Sequence, residues 1–346
     1  MGATRPRRKH RTALVLLTVL GILAVVSAST AYYLAQRVVA PIERIDNVFA
    51  GLEDRPPRPT QGAAADAVNI LLLGTDRRSD EPTTGDSARA AAFIPGAQRT
   101  DAMLLLHVDA DRRGASIVSL PRDSWVTVPG HGEDKINAAF SYGGPSLAVA
   151  TVEELTGVRV DHLAVIDWDG IRALTDELGG VTVTVPETVH DSARDVTWTA
   201  GEHRLDGDAA LTYVRQRYGL PGGDLDRASR QQNLLRALMV DTLDRVRDSG
   251  PWTISELLRV ITRHLSVDAE WSTKDMTRLF WSLRGLDEAG VTFMTVPVAG
   301  LGREGAQSVV HLDHAAGRRL WDAVRRDRVA SWVRAHPDAP LGDTVR

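Results

Sequence analysis

Four arginines (Arg215, Arg217, Arg227 and Arg230) and two aspartates (Asp224 and Asp226) share the stretch TYVRQRYGLPGGDLDRASRQQ, in a chain whose formal net charge is −4. An arginine guanidinium is a planar fork of donors that stays charged at any working pH and matches phosphate oxygens two at a time, so such a cluster suits a pyrophosphate. The competing reading is a solvated helix face on which Asp and Arg three or four residues apart pair with each other. Upstream, charged residues stand where apolar runs begin or end: Asp76 after VNILLL, Arg99 and Asp101 before AMLLLHV, Arg122 and Asp123 after SIVSL. Carboxylates such as Asp76 and Asp101 offer the hard oxygens that Mg²⁺ prefers, beside water and substrate phosphate. The alternative is that Asp76 caps a turn and Asp101 pairs with Arg99.

Other chemistries lack their carriers. The chain has no cysteine, which removes disulfides, thiolate metal sites and cysteine nucleophiles. No HExxH, GxSxG or GxxxxGK[ST] pattern occurs, so zincin, α/β-hydrolase and P-loop readings have no support. His107 and His162 lie in or at apolar runs and read as core or edge histidines. Basic residues are 38 Arg and three Lys, a bias that reduces the weight of arginine count alone and makes Lys135 the more noticeable choice.

The elements that must position these residues follow from periodicity and breakers. Val68–Leu73, Ala102–Val108, Ser116–Leu120, Val160–Ile166, Val181–Val185 and Val291–Val296 read as strands, mostly buried. Residues 135–155, interrupted at Gly143-Gly144-Pro145, and 168–178, stopped by Gly179-Gly180, read as helices, as do 206–217, 225–247, 254–265, 273–284 and 314–326. Strands and helices intermixed in one unit imply an α/β fold, a three-layer α/β/α sandwich with a mixed central sheet, in which ligands gather where strands end.

Residues 12–36 carry no charged side chain, and a helix of that length extends about 37 Å against a hydrocarbon core of about 30 Å. Arg5, Arg7, Arg8, Lys9 and Arg11 precede it, whereas the following flank is mixed in sign, so the expected topology is a cytoplasmic tail (1–11), one transmembrane helix (12–36) and everything else outside the cell membrane. The rival, a cleaved signal peptide, would have an unusually long apolar region. Residues 37–67, with Pro56, Pro57 and Pro59, read as a juxtamembrane linker, 68–330 as the globular domain and 331–346 as a tail. Without the basic leader the remainder is more acidic still, which disfavours nucleic acid as a partner.

In order, NILLLGTD, RTDAMLL, SIVSLPRDSWV, KINAAFSYGG and YVRQRYGLPGGDLDRASRQQ resemble the LytR-CpsA-Psr family, and TVPVAG and QSVVHLD look familial too. The resemblance covers residues 68 to 325. It implies a membrane-anchored phosphotransferase that moves a glycopolymer, such as teichoic acid, from a polyprenyl pyrophosphate carrier onto the 6-hydroxyl of N-acetylmuramic acid in peptidoglycan. It further implies Mg²⁺ held by Asp76 and Asp101, and pyrophosphate gripped by Arg122, Arg215 and Arg217 with Arg99, Lys135, Arg227 and Gln231 about it. Asp224 would orient the arginines, Asp101 or Asp224 would take the acceptor's proton, and Leu147, Val149, Leu234 and Leu238 would line a tunnel for the lipid tail. Two departures stand out: the loop from Arg77 to Gln98 is longer than many members carry, and YGLPGG replaces an acidic residue often found after the second arginine. Alternatives are a polyprenyl pyrophosphate hydrolase using water as acceptor, and a non-catalytic envelope regulator that binds lipid phosphate.

Overall fold

The computed structural model describes residues 42–76, 83–85, 88, 93, 95–96, 98–216, 218–220, 224–247, 250–286 and 288–340. The expected membrane segment at 12–36 lies outside them, and no helix among the described residues is long and apolar enough to cross a membrane.

The elements in chain order begin with strands β1 (Glu43–Ile45), β2 (Val68–Asp76), β3 (Arg99–Val108), β4 (Ala115–Ser119), β5 (Trp125–Val128) and β6 (Gly132–Lys135). Helix α1 (Ile136–Thr156), strand β7 (His162–Asp167) and helix α2 (Trp168–Glu177) follow. Next come the short strands β8 (Val181–Val185), β9 (Val189–Asp191), β10 (Val196–Trp198) and β11 (Gly201–Leu205), then helices α3 (Gly207–Val214), α4 (Asp224–Arg247) and α5 (Pro251–Arg263). Strand β12 (Ser266–Asp268), helix α6 (Thr273–Ser282), strands β13 (Val291–Thr295), β14 (Val298–Glu304) and β15 (Gln307–Leu312), and helices α7 (His314–Arg325) and α8 (Val329–Ala335) complete the fold.

Seven strands form one mixed sheet in the order β1-β12-β7-β2-β3-β4-β13. Strand β2 runs parallel to β7 and antiparallel to β3, and β4 runs antiparallel to β3 and parallel to β13. Alternate side chains divide between two faces, as period-two strands require. One face sends Leu71, Leu73, Met103, Leu105, Val118, Leu163 and Val165 into a cluster with Phe140, Val149 and Val152 of α1 and Leu320, Trp321 and Val324 of α7. The other sends Ile70, Leu72, Leu104, Leu106 and Ala164 towards α4, α5 and α6.

Two expectations about the ends need correction. Residues 42–67 are no free linker: β1 joins the sheet edge beside β12, Val48 and Phe49 are buried in the first core cluster, and Arg55 makes a two-pronged bond to the buried Glu153 at 2.7 and 3.0 Å. The proline stretch is tied to the domain as well, since Arg159 Nη1 donates to Pro56 O at 3.0 Å. The presumed tail from 331 begins inside α8, whose Trp332 and Val333 pack on the same cluster, and Pro340 bridges Met294.

Helix α1 breaks where the Gly-Gly-Pro signal places the break. Gly144 takes φ +64, and a Cβ there would lie 2.6 Å from the ring of Phe93. That ring meets Phe140 edge to face at 5.7 Å, and Gly96 N–H donates to Ser141 O at 2.9 Å. Further back in the same loop, Thr83 donates through both N–H and hydroxyl to Asp167 at 3.0 Å.

Candidate active site

Strand β3 carries the first site residue on an irregularity. Gly74 pairs with Ala102 and Thr75 with Thr100, so Asp101 is the extra residue of a β-bulge, a device that re-aims a side chain at a sheet end. Asp101 faces the loop after β4, where Arg122 Nη1 donates to its Oδ1 at 2.6 Å. The alternative pairing of Asp101 with Arg99 is not what forms. Arg122 Nε lies 3.6 Å from Asp123 Oδ2, and Lys135 Nζ lies 2.8 Å from Asp123 Oδ1. Asp101, Arg122, Asp123 and Lys135 thus form a chain of alternating charge, each side chain 15 to 23% exposed.

The backbone explains why this chain holds its shape. A helix start leaves N–H groups without partners, and Lys135, at the N-cap of α1, makes no side-chain cap. The loop supplies acceptors instead: Ile136 N–H donates to Ser124 O at 2.8 Å and Asn137 N–H to Arg122 O at 3.2 Å. Val310 N–H donates to Asp123 O at 2.9 Å, tying the loop to β15 as well. Arg122 is therefore built on a turn clamped from both sides.

A small cleft lined by Asp101, Ala102, Leu120, Pro121, Arg122, Gln231 and Gln232 opens beside this charge chain. Gln231, 5% exposed on α4, also lines a much larger apolar cavity of about 300 Å³. That cavity follows the second face of the sheet from Gly74 and Ala102 to Val108 and Ala115, about 20 Å along β3. Its roof is Leu235, Leu238, Met239 and Leu243 of α4 with Leu258 and Ile261 of α5 and Met276 and Leu279 of α6. At the charged end the strands approach closely, since a Cβ on Gly74 would meet Ala102 Cβ at 3.0 Å.

The arginine-rich stretch divides. Arg215, exposed at the C-cap of α3, holds its guanidinium 5.9 Å from the ring centre of Trp168, and that ring lines the apolar cavity. Arg230 does not join a phosphate cluster. It is 2% exposed, stacks 4.5 Å over Tyr213 and donates to Gln216 Oε1 at 2.7 Å, and burial pushes its pKa below the usual arginine range. Gln216 in turn donates to Tyr218 O at 2.8 Å, so Arg230 braces the turn after Arg215 from inside. Arg227 is also buried. Asp224 opens α4, and its side chain, like that of Asp76, lies outside the described residues, as does Arg217 altogether. The backbone of Asp76 pairs with Arg99, which is exposed.

Of the sequence-predicted residues, the structure brings together Asp101, Arg122, Lys135 and Gln231. Leu238 lines the cavity, whereas Leu234 belongs to a neighbouring core cluster with Tyr213. Leu147 and Val149 pack on the opposite face of the sheet, because α1 covers the side away from α4. Asp123 as the bridge between Arg122 and Lys135, Trp168 beneath Arg215 and the α5 and α6 lining were not identified from sequence. The α4 stripe at 235, 238, 239 and 243 has the three-and-four spacing of a buried face, which could have signalled the roof.

The LytR_cpsA_psr family model matches residues 43–326. The probable cell wall biosynthesis protein LcpB of Corynebacterium glutamicum is 34% identical over 77% of this chain and 63% of its own length. The polyisoprenyl-teichoic acid–peptidoglycan teichoic acid transferase TagT of Bacillus subtilis is 36% identical over 50% of this chain and 52% of its own length. The chain therefore spans between half and two thirds of these relatives. Among solved structures, TagT bound to LI-WTA superposes with a TM-score of 0.60 at 25% identity, over 80% of this chain and 97% of that one.

Proposed function

Because the chain belongs to the LytR_cpsA_psr family, we propose that it is a membrane-anchored phosphotransferase that moves a cell-wall glycopolymer from a polyprenyl pyrophosphate carrier onto peptidoglycan. The observation that carries this reading is the apolar cavity ending at a charged cleft, with Gln231 lining both. A long apolar tail with a pyrophosphate head is the ligand whose two parts match those surroundings. The transferase names of the relatives support the same reaction class.

Phosphoryl transfer asks for positioning and neutralisation of charge more than for covalent help. In our reading the cavity takes the tail, which sets the pyrophosphate at the Gly74–Ala102 end. Arg122 and Lys135, held by Asp101 and Asp123, neutralise the transferring group, Arg215 approaches from the α3 side, and Arg217, two residues on in the sequence, is assigned to the same pyrophosphate. Gln231 offers an amide donor at the junction, and the buried Gln232 Oε1, which has no hydrogen-bond partner among the described residues, accepts from a sugar hydroxyl of the substrate. Asp76 and Asp101 would hold Mg²⁺: both are carboxylates, the hard-oxygen ligands that ion prefers, and their strands pair at this end of the sheet; when bound it supplies further neutralisation of the pyrophosphate oxygens. The acceptor hydroxyl loses its proton to Asp101 or Asp224, and the pH profiles of Asp101→Asn and Asp224→Asn separate the two. The scaffold is read as a three-layer α/β/α sandwich outside the cell membrane, anchored by residues 12–36, with peptidoglycan as acceptor.

The test is mass spectrometry of products from the full chain in detergent with Mg²⁺, a short polyprenyl-pyrophosphoryl oligosaccharide and a peptidoglycan glycan. Sugar phosphate on the acceptor supports the transferase. Release of lipid monophosphate and free sugar phosphate alone replaces it with a hydrolase, and lipid binding without turnover of any supplied glycan replaces it with a binding regulator.

A further inference from the structure

At the far end of β3 from Asp101, His107 is 1% exposed, between Asp109 and Asp327. Its tautomer is fixed by a neighbour. Asn69 Nδ2 donates to Arg159 O at 3.0 Å, so the Asn69 amide presents its oxygen to the ring, 2.8 Å from His107 Nδ1. Nδ1 therefore carries the hydrogen. Nε2 then points at Asp327 Oδ1, 3.1 Å away, and Asp109 Oδ1, 3.6 Å away. A lone pair facing two carboxylate oxygens is repulsive unless a positive charge lies among the three atoms.

An independent observation points the same way. Asp109 Oδ1 is wholly buried and has no hydrogen-bond partner among the described residues, a costly condition for a carboxylate oxygen. The nearby cation does not fill the gap, since Arg112 gives its guanidinium to the backbone oxygens of Asp109 and Asp66, both at 2.9 Å. Asp327, just past the C-cap of α7, takes φ 53, a conformation usually left to glycine, which places its carboxylate towards the ring.

We propose that His107, Asp109 and Asp327 form a binding site for a divalent transition metal of the zinc class. A tetrahedral ion with bonds of about 2.0–2.1 Å has ligand atoms about 3.3–3.4 Å apart, and the two separations from Nε2, 3.1 and 3.6 Å, bracket that edge. One imidazole and two carboxylates leave a fourth position open, the ligand count of exchangeable zinc sites. The Nδ1–H bond to Asn69 is the outer support that metal-bound histidines ordinarily have. Asp109, whose side chain is 21% exposed, is the ligand that connects the site to solvent. The site is separate from the proposed pyrophosphate cleft and independent of that reading.

The experiment is isothermal titration of ZnCl₂ into the EDTA-treated full chain in detergent at neutral pH, with CoCl₂ as a spectroscopic probe of tetrahedral coordination. One saturable equivalent is expected, with a visible cobalt d–d band that zinc abolishes. Asp109→Asn removes a ligand whose Oδ1 accepts no hydrogen bond, so it should keep the metal-free melting temperature and weaken zinc at least about tenfold. His107→Gln should abolish the cobalt band. No saturable binding would overturn the site in favour of a protonated His107, and equal affinity in wild type and both variants would assign the zinc to other histidines and overturn it equally.

Discussion

The two faces of the central sheet are made from the same strands yet differ in kind. On one, Leu71, Leu105, Val118, Leu163 and Val165 are wholly buried among α1, α7 and α8. On the other, Leu72, Leu104, Leu106 and Ala164 border about 300 Å³ of space beneath α4, α5 and α6. Protein interiors ordinarily close-pack, so a large apolar void forgoes contact energy that the first face collects. What the difference teaches is that one face is packed for stability while the other keeps apolar space open, the space that the proposed function assigns to the lipid tail.

The sharpest way to break that division acts at the charged end of the hollow face. Arg122→Ala should reduce transfer about 10³-fold, the effect of an arginine that stabilises a phosphoryl transition state, with melting temperature little changed. Initial rates check it, and a loss under tenfold would remove Arg122 from the mechanism. Next in size, two adjacent residues of β3 compare the faces directly. Leu105→Ala should cost about 2–5 kcal/mol in urea unfolding, the range for a close-packed leucine. Leu106→Ala should cost less than half as much, because its surroundings are already incompletely filled, and should weaken retention of polyprenyl phosphate. Equal costs would mean that both faces pack alike. Ala164→Leu should then fill part of the void with under about 1 kcal/mol of destabilisation, where the same enlargement in a filled core costs about 1–3 kcal/mol, and should lower lipid binding in a fluorescence displacement assay.

The smallest effect lies at the sheet margin. Burial raises the Glu43 carboxyl above its ordinary 4.5, outweighing the bond it accepts from Ser266. The native state therefore binds the Glu43 proton more tightly than the unfolded chain, so this stability is fully present below pH 4.5 and is lost as pH rises through the raised value. Glu43→Gln should raise the melting temperature modestly at pH 7 and not at pH 4. A gain of the same size at both would separate the effect from ionisation.

Much of this was legible in sequence for physical reasons. The runs at 68–73, 102–108 and 116–120 are strands because β-rich apolar segments end at charged or breaker residues, and those ends hold Asp101 and Arg122. The α1 break at Gly143-Gly144-Pro145 was legible from residues that cannot continue a helix. The three-residue strands β1 and β12 were not, being too short to show a period. Nor was the void: Leu105 and Leu106 are the same residue type, and only the spacing of the helices above them decides which one packs. Arg215 and Arg230 show the same limit. Both stand in one basic stretch, yet Arg215 at the C-cap of α3 is exposed and Arg230 braces a turn from inside, because the rotation of α4 turns Arg230 towards Tyr213.

The docking of Phe93 in the α1 break carries one more consequence. The segment between Asp76 and Asp101 is fastened at Thr83 and, near its end, at Phe93 and Gly96. Its exit into β3 is thus set by an aromatic key in a glycine lock. Insertions upstream of the key can lengthen the segment without moving Asp101, so the length of this part of the chain is uncoupled from the register of the chemistry beside it.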